Sequence, residues 1–93
     1  MSKFEAGRIV MTCGINEAIS EDASFAAFAQ KSMQRHLSGD WGDMEDEDKQ
    51  INDEAMENGE RIFSAYKPMQ GKKIWIITEA DRSATTILFP NEY

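Results

Sequence analysis

Lys73-Ile74-Trp75-Ile76-Ile77-Thr78, then Glu79-Ala80-Asp81-Arg82-Ser83, then Ala84-Thr85-Thr86-Ile87-Leu88-Phe89 is the stretch on which the fold turns. Two runs rich in β-branched and aromatic residues, joined by five small or polar ones, predict a β-hairpin. In the first run Ile74, Trp75, Ile76 and Ile77 are consecutive. Both faces are therefore apolar, as in a strand at the centre of a sheet, and Trp75 is expected in the core. Upstream, Arg61 to Lys67 predicts another strand, and Pro68-Met69-Gln70-Gly71-Lys72 is a hairpin-length link. Farther out, Arg8-Ile9-Val10-Met11-Thr12-Cys13, between Gly7 and Gly14, predicts a first strand ending in a small buried Cys13.

Between the first and second strands the period changes. Ile19, Phe25, Phe28, Ala29, Met33 and Leu37 recur at helical spacing, which predicts one helix from about Asn16 to Leu37, stopped by Ser38-Gly39. A second helix is expected from about Met44 to Asn58. Asp43 is its candidate N-cap, Met44, Asp48, Ile51 and Ala55 form its inner stripe, and Asn58-Gly59 ends it. The order β-α-α-β-β-β predicts a single α+β domain over residues 1–93, a mostly antiparallel four-stranded sheet with two helices on one face. Two helices leave part of an apolar sheet bare, so a homodimer is an expectation.

Composition narrows the function. The net charge of −7 opposes direct binding to nucleic acid and to anionic membranes, and favours basic protein partners. A single cysteine permits no internal disulfide, no apolar run is long enough to span a bilayer, and Met1-Ser2-Lys3-Phe4-Glu5 lacks a signal-peptide core. A cytoplasmic location is expected.

The charge is concentrated. Residues 40–60 contain Asp40, Asp43, Glu45, Asp46, Glu47, Asp48, Asp53, Glu54, Glu57 and Glu60 against one base, Lys49, so the remainder of the chain is slightly positive. A solvated helix usually mixes signs to gain pairs one turn apart, whereas this one repels itself. The block reads either as a solvated helix face or as a negative surface for a basic partner, the latter carried by Asp43, Glu45, Asp46, Glu47, Asp53, Glu54 and Glu57. Trp41, in a glycine-flanked loop, is either its apolar anchor or a plug over the sheet edge. The turn around Glu79, Asp81 and Arg82 reads as a structured hairpin in which Asp81 caps turn amides and Arg82 pairs with Glu79 or Asp81; the alternative is a second polar patch for a partner, with Arg82 as its recognition residue.

Catalytic signatures are weak. His36 is the only histidine and sits where it serves a helix C-terminus, although Asp40 and Asp43 follow it across a short glycine-rich link. The acids lack the glycine and spacing of a calcium loop. No catalytic residue, cofactor or metal site is expected, and no enzyme activity.

One resemblance rests on strings of residues. They are His36-Leu37-Ser38-Gly39-Asp40-Trp41-Gly42-Asp43, Glu45-Asp46, Asn52, Arg61-Ile62-Phe63-Ser64-Ala65-Tyr66, the hairpin from Ile74 to Pro90, and Glu92-Tyr93. Over roughly residues 8 to 93 the chain is similar to a family of short proteins of bacterial plasmids, phages and integrated elements. Members of that family are often labelled plasmid-related protein or subunit of a type I restriction-modification system. The resemblance implies a mobile-element setting and assigns no catalytic residues. With the acidic block it leads to the expectation of a non-enzymatic inhibitor of a nucleic-acid-targeting host defence complex, anti-CRISPR or anti-restriction. The alternative is a dimeric accessory protein of the element.

Overall fold

β3 (Ile74–Thr78) lies inside the sheet, antiparallel to β2 (Ile62–Tyr66) on one side and to β4 (Ala84–Leu88) on the other. The computed structural model describes residues 2–93. β1 (Arg8–Met11) completes the strand order β1-β4-β3-β2 and runs parallel to β4, so the sheet is mixed. The reason is visible at the strand ends. Glu92, just past β4, accepts hydrogen bonds from the Thr12 hydroxyl (2.6 Å) and the Gly14 amide (3.0 Å) at the start of the helix that follows β1. A carboxylate at a helix N-terminus is favourable, and it holds the C-terminal ends of β1 and β4 side by side.

Three helices form rather than two: α1 (Cys13–Glu21), α2 (Ala23–Leu37) and α3 (Asp46–Asn58). The single helix expected over 16–37 breaks at Asp22, whose backbone is extended (φ −142°, ψ 109°). Its carboxylate accepts from the amides of Ser24 (2.9 Å) and Phe25 (3.4 Å), capping α2. The first strand stops at Met11, and Cys13 is an exposed first residue of α1 instead of a buried strand end.

α1 and α2 cover one sheet face. Ile15 packs there with Tyr66, Ile74, Ile76 and Ile87, flanked by Phe25, Phe28 and Met33. α3 sits beside β2, where Trp41, Ala55 and Ile62 form a second cluster with Phe4, Met44 and Met56. Strand alternation turns Phe63 and Trp75 to the sheet face opposite α1 and α2. Trp75 is only half-buried there, in edge contact with Phe63 and Tyr93 (centroids 4.8 and 5.8 Å).

The outer edge of β2 is closed by side chains and loop. The Ala65 amide donates to the Trp41 carbonyl (3.3 Å), the Asp43 amide to the Ala65 carbonyl (2.7 Å), and the Lys67 amide to the Asp43 carboxylate (2.8 Å). Asn52 covers the remaining residue. Its Oδ1 accepts from the Phe63 amide (3.1 Å) and its Nδ2 donates to the Phe63 carbonyl. Asp43 is therefore an edge clamp and not the helix cap; Glu45 precedes α3 without a side-chain cap. Gly42 makes this approach possible. Its φ is 77°, and a Cβ there would overlap the Ala65 carbonyl and the Tyr66 ring.

Replacing Asn52 (3% exposed) by Leu leaves two backbone groups of Phe63 unpaired at a closed edge. The expected cost is about 2–4 kcal/mol in urea unfolding, with an unchanged m-value.

Candidate partner-binding surface

α3 is held on three sides. Asn52 and Ala55 are buried against β2. The indole Nε1 of Trp41 donates to Asp53 (2.9 Å). At the far end Gly59 adopts the left-handed conformation (φ 69°), and the Arg82 guanidinium donates to the carbonyls of Ala55 (3.2 Å) and Glu60 (2.7 Å). A cation there offsets the negative end of the helix dipole, while Asp46, Glu47 and Asp48 occupy the favourable first turn. These contacts let a self-repelling sequence remain helical.

The bonds of Asn52 set the rotation of α3. They turn Asn52, Ala55 and Met56 inward, and Ile51, expected in the inner stripe, is 59% exposed. Helical spacing then places Asp46, Glu47, Asp53, Glu54 and Glu57 about Gln50 on the outward half of the helix, with Ile51 at its flank beside Glu47 and Glu54. All five are exposed, as are Asp43 and Glu45 ahead of them. Among the described residues the two ion pairs are Arg35–Asp40 (2.8 Å) and Arg61–Glu79 (3.8 Å), and neither involves α3. Two of these acids also have internal bonds: Asp43 with the Lys67 amide and Asp53 with Trp41.

Trp41 cannot be the anchor. It is 3% exposed and wedged against Phe4 and His36, the plug reading of the loop. The exposed apolar group within the acidic surface is Ile51. Its inward assignment followed from spacing alone; the polar Asn52 at the next position was the available signal that a hydrogen bond, and not apolar burial, would orient the helix.

The second polar patch is internally satisfied. Glu79 faces Arg61, and Asp81 accepts from the Ser83 amide (3.0 Å) as a turn cap. The Ser83 side chain and amide hold the Asp81 carboxyl below its usual range. Arg82, with φ 61°, pairs with neither acidic side chain. It serves main-chain carbonyls of Ala55, Glu60, Glu79 and Ala80, because a five-donor fork fits clustered helix-end and turn oxygens.

His36, Asp40 and Asp43 do not converge on a substrate site. Asp40 forms a two-bond pair with Arg35 (2.8 and 3.2 Å), which lowers its carboxyl pKa. His36 is fully buried under α2, where its Nδ1 meets Ser64 and its Nε2 meets Thr78 (2.8 Å). Thr78 meets Thr85 (2.7 Å), and Thr85 donates to the Ala6 carbonyl (2.7 Å). That last bond fixes the rest. The Thr78 hydroxyl donates to Thr85, His36 Nε2–H donates to Thr78, and the Ser64 hydroxyl donates to a neutral Nδ1. Every hydrogen in the chain has one acceptor. The helix-end role expected of His36 is replaced by this buried network.

No family model, curated protein or solved structure matches this chain. No group of three or more His, Cys, Asp or Glu side chains is placed to hold a metal ion among the described residues, and no helix among them is long and apolar enough to cross a membrane.

Burial pushes the His36 pKa down to about 4 from 6.5. Above pH 6.5 the imidazole is neutral folded and unfolded, and this residue adds no pH dependence. Between about 6.5 and 4 only the unfolded chain takes the proton, so stability falls as pH falls; below about 4 the slope ends. The full loss is about 3 kcal/mol. Urea titrations at pH 7 and pH 4.5 should show most of it in the parent and not in His36→Gln, which isolates it from the carboxylates.

Proposed function

We propose that this chain is a non-enzymatic protein of a mobile genetic element that blocks a nucleic-acid-targeting host defence complex, CRISPR or restriction, by laying α3 into a phosphate-binding groove. The observation that carries the reading is the outward half of α3, where five exposed acids outside both ion pairs cluster about Gln50, with Ile51 at their flank, on a helix held at its middle by Asn52 and Asp53 and at its C-terminal end by Arg82. Evenly spaced carboxylates on a rigid rod offer a basic groove the charge it would otherwise take from a nucleic-acid backbone. Rigidity lowers the ordering cost of binding, and the field accelerates encounter. Ile51 adds an apolar contact at the flank of the charged face, between Glu47 and Glu54. Asp43 and Glu45 extend the negative surface ahead of the helix; the mobile-element setting is part of the proposal and rests on the resemblance of the residue strings alone.

The test uses purified CRISPR effector complexes and type I restriction enzymes, with DNA cleavage as the readout. The parent protein should inhibit at least one, less strongly as salt rises. The fourfold variant Glu47→Lys, Asp53→Lys, Glu54→Lys, Glu57→Lys should lose about 100-fold or more in potency, chiefly through association rate. Ile51→Ala should raise the dissociation rate about tenfold, as loss of a buried apolar contact does. Undiminished inhibition by the fourfold variant would remove α3 from the mechanism.

A further inference from the structure

The two edges of the sheet are treated in opposite ways. β2 is sealed by Asn52, by the Trp41–Asp43 loop and by the Asp43 carboxylate. Among the described residues no strand lies beyond β1. The Arg8 amide donates to Ser83 and the Thr12 amide to Ile87, so Arg8, Val10 and Thr12 direct their backbone groups toward β4. By alternation, the N–H and C=O groups of Ile9 and Met11 point away from the sheet. Their side chains are exposed as well, 48% and 43%, and border an open groove of about 380 Å³ lined by Ile19, Ala26, Ala29 and Met33. A bare edge beside an apolar groove invites an added strand.

The sequence of β1 says which strand. We propose that β1 pairs antiparallel with β1 of a second copy about a two-fold axis at Val10. In that register Ile9 lies opposite Met11 of the second copy, Val10 opposite Val10, and Arg8 opposite Thr12. The hydrogen-bonded pairs of an antiparallel ladder then fall on residues 9 and 11, the two residues whose backbone groups are free, and Val10 falls on a non-bonded pair. A one-residue shift would set Ile9 against Val10, which faces the other side of the sheet. Charge agrees with the register. Arg8 is in neither ion pair seen among the described residues, and Thr12 of the second copy holds Glu92 at 2.6 Å, bringing guanidinium and carboxylate together across the axis. The product is a continuous eight-stranded sheet, in which Ile9 and Met11 of both copies meet over one merged groove. A strand pair this short makes a small interface beside the roughly 800 Å² per partner of a standard one, so the dimer is expected to be weak and to separate on dilution. The proposal is independent of the acidic-surface reading, since α3 lies at the opposite edge.

Two measurements test it. By light scattering at a few hundred micromolar the protein should show twice the chain mass, and Met11→Pro, which removes an outward N–H without touching the β4 ladder, should show the single mass with an unchanged circular-dichroism spectrum. In a Cys13→Ser background, Val10→Cys places two thiols across the axis with Cα atoms about 4.5 Å apart, within disulfide range. Under mild oxidation it should cross-link at least tenfold faster than Met69→Cys at the exposed hairpin tip. A single chain mass at high concentration, or a Val10→Cys rate no greater than that of Met69→Cys, overturns the proposal.

Discussion

The Asn52 amide on the backbone of Phe63 is the contact from which the arrangement of this molecule follows. A carboxamide presents one acceptor and two donors in a plane, and here it stands in for one residue of a neighbouring strand. It ends the sheet at β2, ties α3 to that edge and sets the helix rotation. Asp43 and the Trp41 carbonyl extend the same edge by two more residues. Without this closure, a helix with three acids in its first turn and no base in its last would rest on two small apolar contacts, Ala55 and Met56. Segregated charge is tolerated here because the anchoring is polar and directional, so the outward positions other than Asp53 are free of any packing role.

Much of the fold is legible in the sequence because its signals are local. The apolar run from Ile74 to Ile77 marks an interior strand, Gly39 and Gly59 mark helix ends, and the polar turn around Asp81 marks the hairpin. The parts that escape local reading depend on partners distant in the chain. Nothing near β1 says that Glu92 will hold it parallel to β4. Asp22 looks like one more residue of an amphipathic helix until its carboxylate is seen turning back onto Ser24 and Phe25.

The candidate surface was legible as a quantity of charge and not as a shape. Counting acids locates α3, but spacing alone turned Ile51 inward, and the glycine-flanked loop left Trp41 open between anchor and plug. His36-Leu37-Ser38-Gly39-Asp40-Trp41-Gly42-Asp43 has the composition of a functional motif, yet its polar side chains serve the interior. His36 joins the helix layer to three strands through hydroxyls, Asp40 holds Arg35, and Gly42 and Asp43 close an edge. Dense polar residues beside glycines are as much the mark of a crossing point between layers as of a reaction centre.

The guanidinium of Arg82 has a consequence in time. The C-terminal end of α3 is completed by a residue that leaves the ribosome more than twenty positions after the helix itself. β1 likewise waits for β4, separated from it by nearly the whole chain. An isolated acidic helix of 13 residues is marginal in water. The nascent chain therefore gains little order as it emerges, and its last hairpin acts as the keystone on which the earlier elements close together.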